Sequence, residues 1–182
     1  MKQVELWTDG SCSGNPGPGG WAAILRFGAH ERELTGSEPD TTNNRMELLA
    51  AIGGLEAIRE RCEVALHTDS AYLINAFEQR WIAGWLARDW RTTAKKPVEN
   101  RDLWERLIEL AGHPGAAPGV HRVRFVKVAG HAGVVLNERC DRLAVEARDR
   151  GRYDRQAASS SHASKVGPTV IAPGPGSSAP PS

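Results

Sequence analysis

Four carboxylate residues stand far apart in this chain, each inside a compact phrase. Asp9 ends the alternating run Val4-Glu5-Leu6-Trp7-Thr8 and opens a stretch rich in Gly and Pro. Glu47 closes Thr41-Thr42-Asn43-Asn44-Arg45-Met46, Asp69 closes Val64-Ala65-Leu66-His67-Thr68, and Asp141 ends Asn137-Glu138-Arg139-Cys140. Carboxylates drawn from separate elements bind hard divalent cations, and an oxygen-only donor set favours Mg²⁺ or Mn²⁺ over zinc. Two such ions can clamp the attacking and leaving oxygens of a phosphodiester displacement. Each residue also has an ordinary reading. Glu47, three after Asn44, fits a capping box; Asp69 fits a helix N-cap; Asp9 fits a turn start; Asp141 fits a solvated helix face. Jointly the four say more, because carboxylates converging at one sheet edge repel unless cations fill the gap.

His131 stands ten residues before Asp141, between Gly130 and Gly133. A histidine there is either a plain loop residue or a proton carrier near neutral pH on a movable loop.

The elements that must position these groups follow from periodicity. Residues 3–8, 21–27 and 31–36 read as three strands joined by short turns, with the Gly and Pro cluster of 14–20 as a turn. Apolar residues at three-to-four spacing predict a helix over 44–61, and 64–68 is a short buried strand. Short helices are expected at 70–77 and 82–88, another after Asn100, a last strand at 123–128 and a last helix at 137–150. The fold class is α/β, with helices covering a five-stranded mixed sheet. Residues 112–119 read as a loop. The catalytic domain is expected to span 1–152. From Tyr153 the chain turns to Ser, Ala, Gly and Pro, and 153–182 reads as a disordered tail.

Global charge does not announce a nucleic-acid partner, since 23 basic residues face 22 acidic ones. A basic surface must therefore be local. The stretch 80–101 supplies one: Arg80, Arg88, Arg91, Lys95, Lys96 and Arg101 stand against Asp89 and Glu99. Trp81, Trp85, Trp90 and Trp104 lie in or beside it, and packing accounts for Trp85 and Trp104. Cys12, Cys62 and Cys140 are scattered and lack CxxC spacing, so they suggest neither a zinc site nor a disulfide framework. The sequence has no signal-peptide run and no spanning helix, and a cytoplasmic setting without membrane contact is expected.

The phrases 8–21, 41–47, 67–70, 95–104, 130–133 and 137–141 resemble, in order, those of bacterial ribonuclease HI, and the likeness covers Lys2 to about Arg150. The resemblance implies a ribonuclease H-like fold with helices on both sheet faces. It implies an endonuclease that hydrolyses the RNA strand of RNA–DNA hybrids by two-metal catalysis with Mg²⁺, or Mn²⁺ in its place, leaving 5′-phosphate and 3′-hydroxyl ends. Asp9, Glu47, Asp69 and Asp141 would be the metal-binding catalytic set, and His131 would assist proton transfer or product release. Cys12, Gly14, Asn15, Asn44 and Glu47 are placed on the RNA side, where a 2′-hydroxyl both donates and accepts. Thr42 and Asn43 are placed near the DNA backbone. The basic stretch, with Trp81, Arg88, Lys95 and Lys96, would grip the DNA strand. A monomer is expected.

The chain departs from the family pattern at Ala71, where glutamine is usual, at Ala129, where lysine is usual, and at Val134-Val135-Leu136 after the histidine loop. Two rivals are weaker. A non-catalytic hybrid-binding module would gain nothing from four carboxylates facing phosphates. A DNA-cutting nuclease of the same superfamily would not need the phrases that read a 2′-hydroxyl.

Overall fold

The computed structural model describes residues 1–113, 118–130 and 133–163. Three strands come first: β1 (Lys2–Cys12), β2 (Gly17–Phe27) and β3 (His30–Thr41). They form an antiparallel meander in which Asp9 pairs with Ala22 and Trp21 with Gly36. The helix α1 (Asn43–Glu56) then carries the chain back, so that β4 (Cys62–Thr68) lies parallel to β1 on its free edge. After α2 (Ala71–Glu78), α3 (Trp81–Ala87) and α4 (Arg101–Ala111), the last strand β5 (Arg122–Lys127) pairs parallel to β4. The sheet order is β3-β2-β1-β4-β5, and α5 (Val135–Ala163) closes the described chain.

The two-residue period of β1 sorts its side chains between two helices. Leu6 and Gly10 face α1: Leu6 lies against Gly54, and Gly10 against Met46 and Glu47. Trp7 and Ser11 face α5: the Cys140 thiol donates to the Trp7 carbonyl at 3.3 Å, and Arg148 Nη1 to Ser11 Oγ at 3.0 Å. The five-stranded mixed sheet thus has helices on both faces, as expected. Beneath α1, α2 and α4 the core includes Leu6, Leu48, Leu55, Leu66, Leu73, Leu107 and Trp104, all fully enclosed. Each such side chain stabilises the fold by about 1.5–3 kcal/mol through burial.

Several boundaries differ from the sequence reading, β1 running on to Cys12 and β3 to Thr41 among them. β2 begins at Gly17, within the expected turn, because glycines let the strand run close beneath its neighbours; the register shifts between Gly17 and Gly19. α1 stops at Glu56 rather than Arg61, closed by a tight turn in which the Ile58 amide donates to the Leu55 carbonyl. α5 continues to Ala163, past the point where the tail is expected to begin. Ala157 and Ala158 favour helix, and the hydroxyls of Ser159 and Ser160 donate back to the carbonyls of Arg155 and Gln156, both at 2.9 Å. Residues 164–182 lie outside the described residues, as do 114–117 of the loop expected at 112–119. Among the described residues no helix is long and apolar enough to cross a membrane.

Candidate active site

Asp9 lies within β1, the central strand of the sheet. Its neighbour Gly10 has no room for a side chain, since a β-carbon there would stand 2.7 Å from the backbone nitrogen of Glu47. That close approach brings the second turn of α1 against β1, and Glu47 with it. The N-cap of α1 is Thr42, whose hydroxyl accepts from the Arg45 amide at 3.3 Å. Glu47 is therefore not the capping-box partner of Asn44. Asp69 follows β4, and the next helix is capped by Ser70, which accepts from the Leu73 amide at 3.2 Å. Asp69 is likewise free of capping duty.

Asp9, Glu47 and Asp69 each offer an oxygen within 4.8 Å of the other two. Asp9 and Glu47 are buried, and Asp69 is half-buried. Asp141, on α5, stands outside this group of three but close enough to raise the pKa of Asp9. Its neighbour Arg139 is engaged elsewhere, by Glu31 and Glu33 of β3. His131 lies outside the described residues. The preceding Gly130 is described: a β-carbon there would lie 3.1 Å from Asp69 Oδ2, so the histidine loop sets out from beside the carboxylates.

Burial pushes Asp9 up to about 7, and the Asp69 charge adds to the effect. Burial likewise raises Glu47 well above the usual carboxylate range, reinforced by Asp9 and Asp69. Glu47 Oε2 is buried with no hydrogen-bond partner among the described residues. A buried acceptor without a donor, among carboxylates that oppose one another's ionisation, is the environment a hard cation relieves. The residues present therefore fit a divalent metal bound by oxygen. Cys140 lies beneath the site with its thiol pushed up to about 12, chiefly by burial, so it remains protonated and is no competing ligand.

The expected substrate residues fall into two groups. Gly14, Asn15, Asn43 and Asn44 are exposed, and Asn15 Oδ1 accepts from the Asn43 amide at 3.3 Å. This bond ties the loop between β1 and β2 to the start of α1. Cys12 is half-buried, with its thiol directed at the carbonyls of Gly17 and Thr41. The second group is the basic stretch. Lys95 and Lys96 are exposed on a tight turn, in which the Thr92 amide donates to the Lys96 carbonyl and Arg91 bridges to Pro97. Arg88 is also exposed and braces this turn by donating to the Arg91 carbonyl at 3.0 Å. Trp81 is half-buried beside Trp85 and Tyr72, while Trp85 and Trp104 are packed into the core.

The structure adds a connection between the two groups that sequence reasoning misses. Arg45 of α1 forks onto Asp102 of α4 through two bonds of 3.0 Å and also donates to Asn100 Oδ1 at 3.2 Å. Asn100 Nδ2 donates to the Tyr72 hydroxyl, which also accepts from Trp104 Nε1 at 2.9 Å. The relay links the helix bearing Glu47, the helix after Asp69 and the end of the basic stretch. Arg45 and Asp102 both lie inside recognisable phrases, but nothing in their spacing pairs them.

Residues 1–149 match the family model for RNase H. The chain is 53% identical over 152 residues to the Ribonuclease H of Chlorobium phaeobacteroides, covering 84% of this chain and 99% of that one. It is 61% identical over 143 residues to a Ribonuclease H of Thermus thermophilus, covering 79% of this chain and 82% of the relative. Among solved structures it resembles LC9-RNase H1, described as a type 1 RNase H with the type 2 active-site motif. That match has 32% identity and a TM-score of 0.67, and covers 82% of this chain and 73% of that one. LC11-RNase H1, solved in complex with an RNA/DNA hybrid, shares the fold at 21% identity and a TM-score of 0.52, covering 81% of this chain and 98% of that one.

Proposed function

The chain belongs to the RNase H family, and from that premise we propose that it is an endonuclease that hydrolyses the RNA strand of RNA–DNA hybrids. The observation that carries this reading is the convergence of Asp9, Glu47 and Asp69 around an unpartnered buried oxygen of Glu47. Asp9, Glu47, Asp69 and Asp141 would hold two divalent cations, Mg²⁺ in the first instance and Mn²⁺ in its place. When bound, these ions supply an activated water and neutralise charge on the phosphate and the leaving oxygen.

The chain's own residues do the rest. Gly14, Asn15, Asn44 and Glu47 present small or polar groups to the RNA strand, where a 2′-hydroxyl finds both donor and acceptor. Cys12 supports this loop from below. Thr42 and Asn43 hold the DNA backbone near the start of α1, and Arg88, Lys95, Lys96 and Trp81 grip the same strand further along. The relay from Arg45 keeps these two grips in register with Glu47. His131 would assist proton transfer or product release. Cleavage would leave 5′-phosphate and 3′-hydroxyl ends. A monomer in the cytoplasm completes the proposal, and the three free thiols suit such a reducing setting.

The test is cleavage of four matched duplexes: RNA–DNA, RNA–RNA, DNA–DNA and DNA bearing a short RNA patch, each with Mg²⁺, Mn²⁺ or EDTA. Metal-dependent cutting confined to RNA paired with DNA is the expected result. Retained hybrid binding without cutting would favour the binding module, and cutting of DNA–DNA would favour the DNA nuclease.

A further inference from the structure

The C-terminal part of α5 does something that packing does not explain. The helix meets β3 at Gly151, against Ser37, and then continues to Ala163. At this end Pro18 of β2, Pro39 of β3, and Arg152, Arg155, Gln156 and Ser159 of α5 line a cavity of about 520 Å³. The cavity lies between the two stretches that flank the candidate site: Pro18 follows the loop bearing Gly14 and Asn15, and Pro39 precedes Thr41 to Asn44. Arg148, one turn before Arg152, already reaches the same loop through its bond to Ser11 Oγ.

The charges at this corner are unbalanced. Arg148 pairs with Asp149. Arg152 and Arg155 have no ion pair among the described residues, and Arg155 Nη2 is buried without a hydrogen-bond partner. Glu38 and Asp40 flank Pro39 but are exposed, and neither forms an ion pair with these arginines. Arg152 is exposed and Arg155, half-buried, lines the cavity, and arginine presents a fork that matches phosphate oxygens. Residues 164–182 contain no Asp or Glu side chain to serve.

We propose that Arg152 and Arg155, on the extension of α5, form an additional phosphate subsite that holds the backbone of an RNA–DNA hybrid beyond the cutting site. This rests on the function proposed above. The subsite continues the surface begun by the β1–β2 loop and lengthens the duplex segment the enzyme grips. It also offsets the repulsion that Glu38 and Asp40 exert on an approaching strand.

The experiment compares the full chain with its Arg152→Gln plus Arg155→Gln variant on hybrids of graded length and across salt concentrations. For long hybrids KM should rise about three- to tenfold with kcat within about twofold, and the log–log salt slope should shrink by about 1–2, roughly one per lost phosphate contact. Hybrids too short to reach α5 should show little change, and the melting temperature should hold. Equal KM and equal salt slope would overturn the subsite. So would a fall in melting temperature accompanied by an equal KM rise at every length, which marks a structural role. Wild-type cleavage in the same assay separates the two levels. If the wild type cuts and the variant matches it, only the subsite falls; if the wild type neither binds nor cuts the hybrid, the reading beneath it falls.

Discussion

Arg45 and Asp102, 57 residues apart, meet as a two-bond fork in which Nη1 reaches Oδ1 and Nη2 reaches Oδ2, both at 3.0 Å. The bond holds Asp102 below the usual carboxylate range and fixes α1 to the start of α4. Its Asp102 end is exposed, so its direct worth to stability is small, about 1 kcal/mol or less. Its larger effect is geometric.

The Asp102→Asn variant keeps one acceptor but loses the charge-assisted fork. It should raise KM for a hybrid about three- to tenfold, lower kcat less, and cost no more than about 4 °C in melting temperature. Steady-state kinetics with a thermal melt would check this, and an unchanged KM would remove the relay from substrate positioning.

Asp9→Asn should reduce cleavage at least about 10³-fold, by removing a charge where charge develops in the reaction. The same change should raise the melting temperature of metal-free protein at alkaline pH, because it deletes a carboxylate held above its ordinary pKa by burial and by Asp69. A variant that cuts normally, or melts lower than wild type in EDTA, would contradict the site as described.

The raised pKa values of Asp9 and Glu47 make stability depend on pH in a defined direction. The folded state holds these protons more tightly than the unfolded state. Their contribution is complete below the ordinary carboxylate pKa of about 4 and is lost as pH rises through the folded value, about 7 for Asp9. The melting temperature in EDTA should therefore fall between about pH 5 and about pH 8. Saturating Mg²⁺ should flatten that fall, because a bound cation stabilises the ionised carboxylates in the protons' place. Identical profiles with and without Mg²⁺ would argue against a cation among these groups.

Gly10→Ala tests the close approach of β1 and α1. A methyl group 2.7 Å from the Glu47 nitrogen cannot be accommodated without moving the helix. Activity should drop about tenfold or more, because a displacement near 1 Å at a catalytic group can cost about 10²-fold. Mg²⁺ affinity measured by calorimetry should fall with it. An active variant with wild-type affinity would show that the site tolerates the shift.

The parts of the fold that are legible in the sequence are those with a local signature. Asp9 and Asp69 can be placed near one another because each follows an apolar run that reads as a strand. The order of the elements follows from periodicity and turn residues. What is not legible depends on competing local chemistry or on distance. Asn44 is a plausible cap for α1, but the Thr42 hydroxyl takes the Arg45 amide instead. Gly19 and Gly20 read as part of a turn, yet they are small enough for a strand crossed by α1 at Met46 and by α5 at Ala144 and Arg148. The Ser and Ala residues after Tyr153 read as tail by composition, while the helix runs through them to Ala163, Ser159 and Ser160 turning their hydroxyls back onto carbonyls one turn earlier. Arg45 and Asp102 illustrate the distance limit, since only the tertiary fold pairs them.

The strand order has a consequence for synthesis. Of the five strands β1 leaves the ribosome before the others, yet it belongs in the middle of the sheet. The β1–β2–β3 meander is local and can form early, but the other edge of β1 must wait for Cys62–Thr68, some fifty residues after the strand itself is complete. Until then the nascent chain presents an unpaired strand edge bearing Val4, Leu6 and Trp7, the kind of edge that recruits other strands. Asp9, Glu47, Asp69 and Asp141 emerge in the same order, so on the proposed assignment the centre is complete only when α5 arrives. An unfinished chain therefore presents a sticky edge and, on that assignment, an incomplete set of carboxylates.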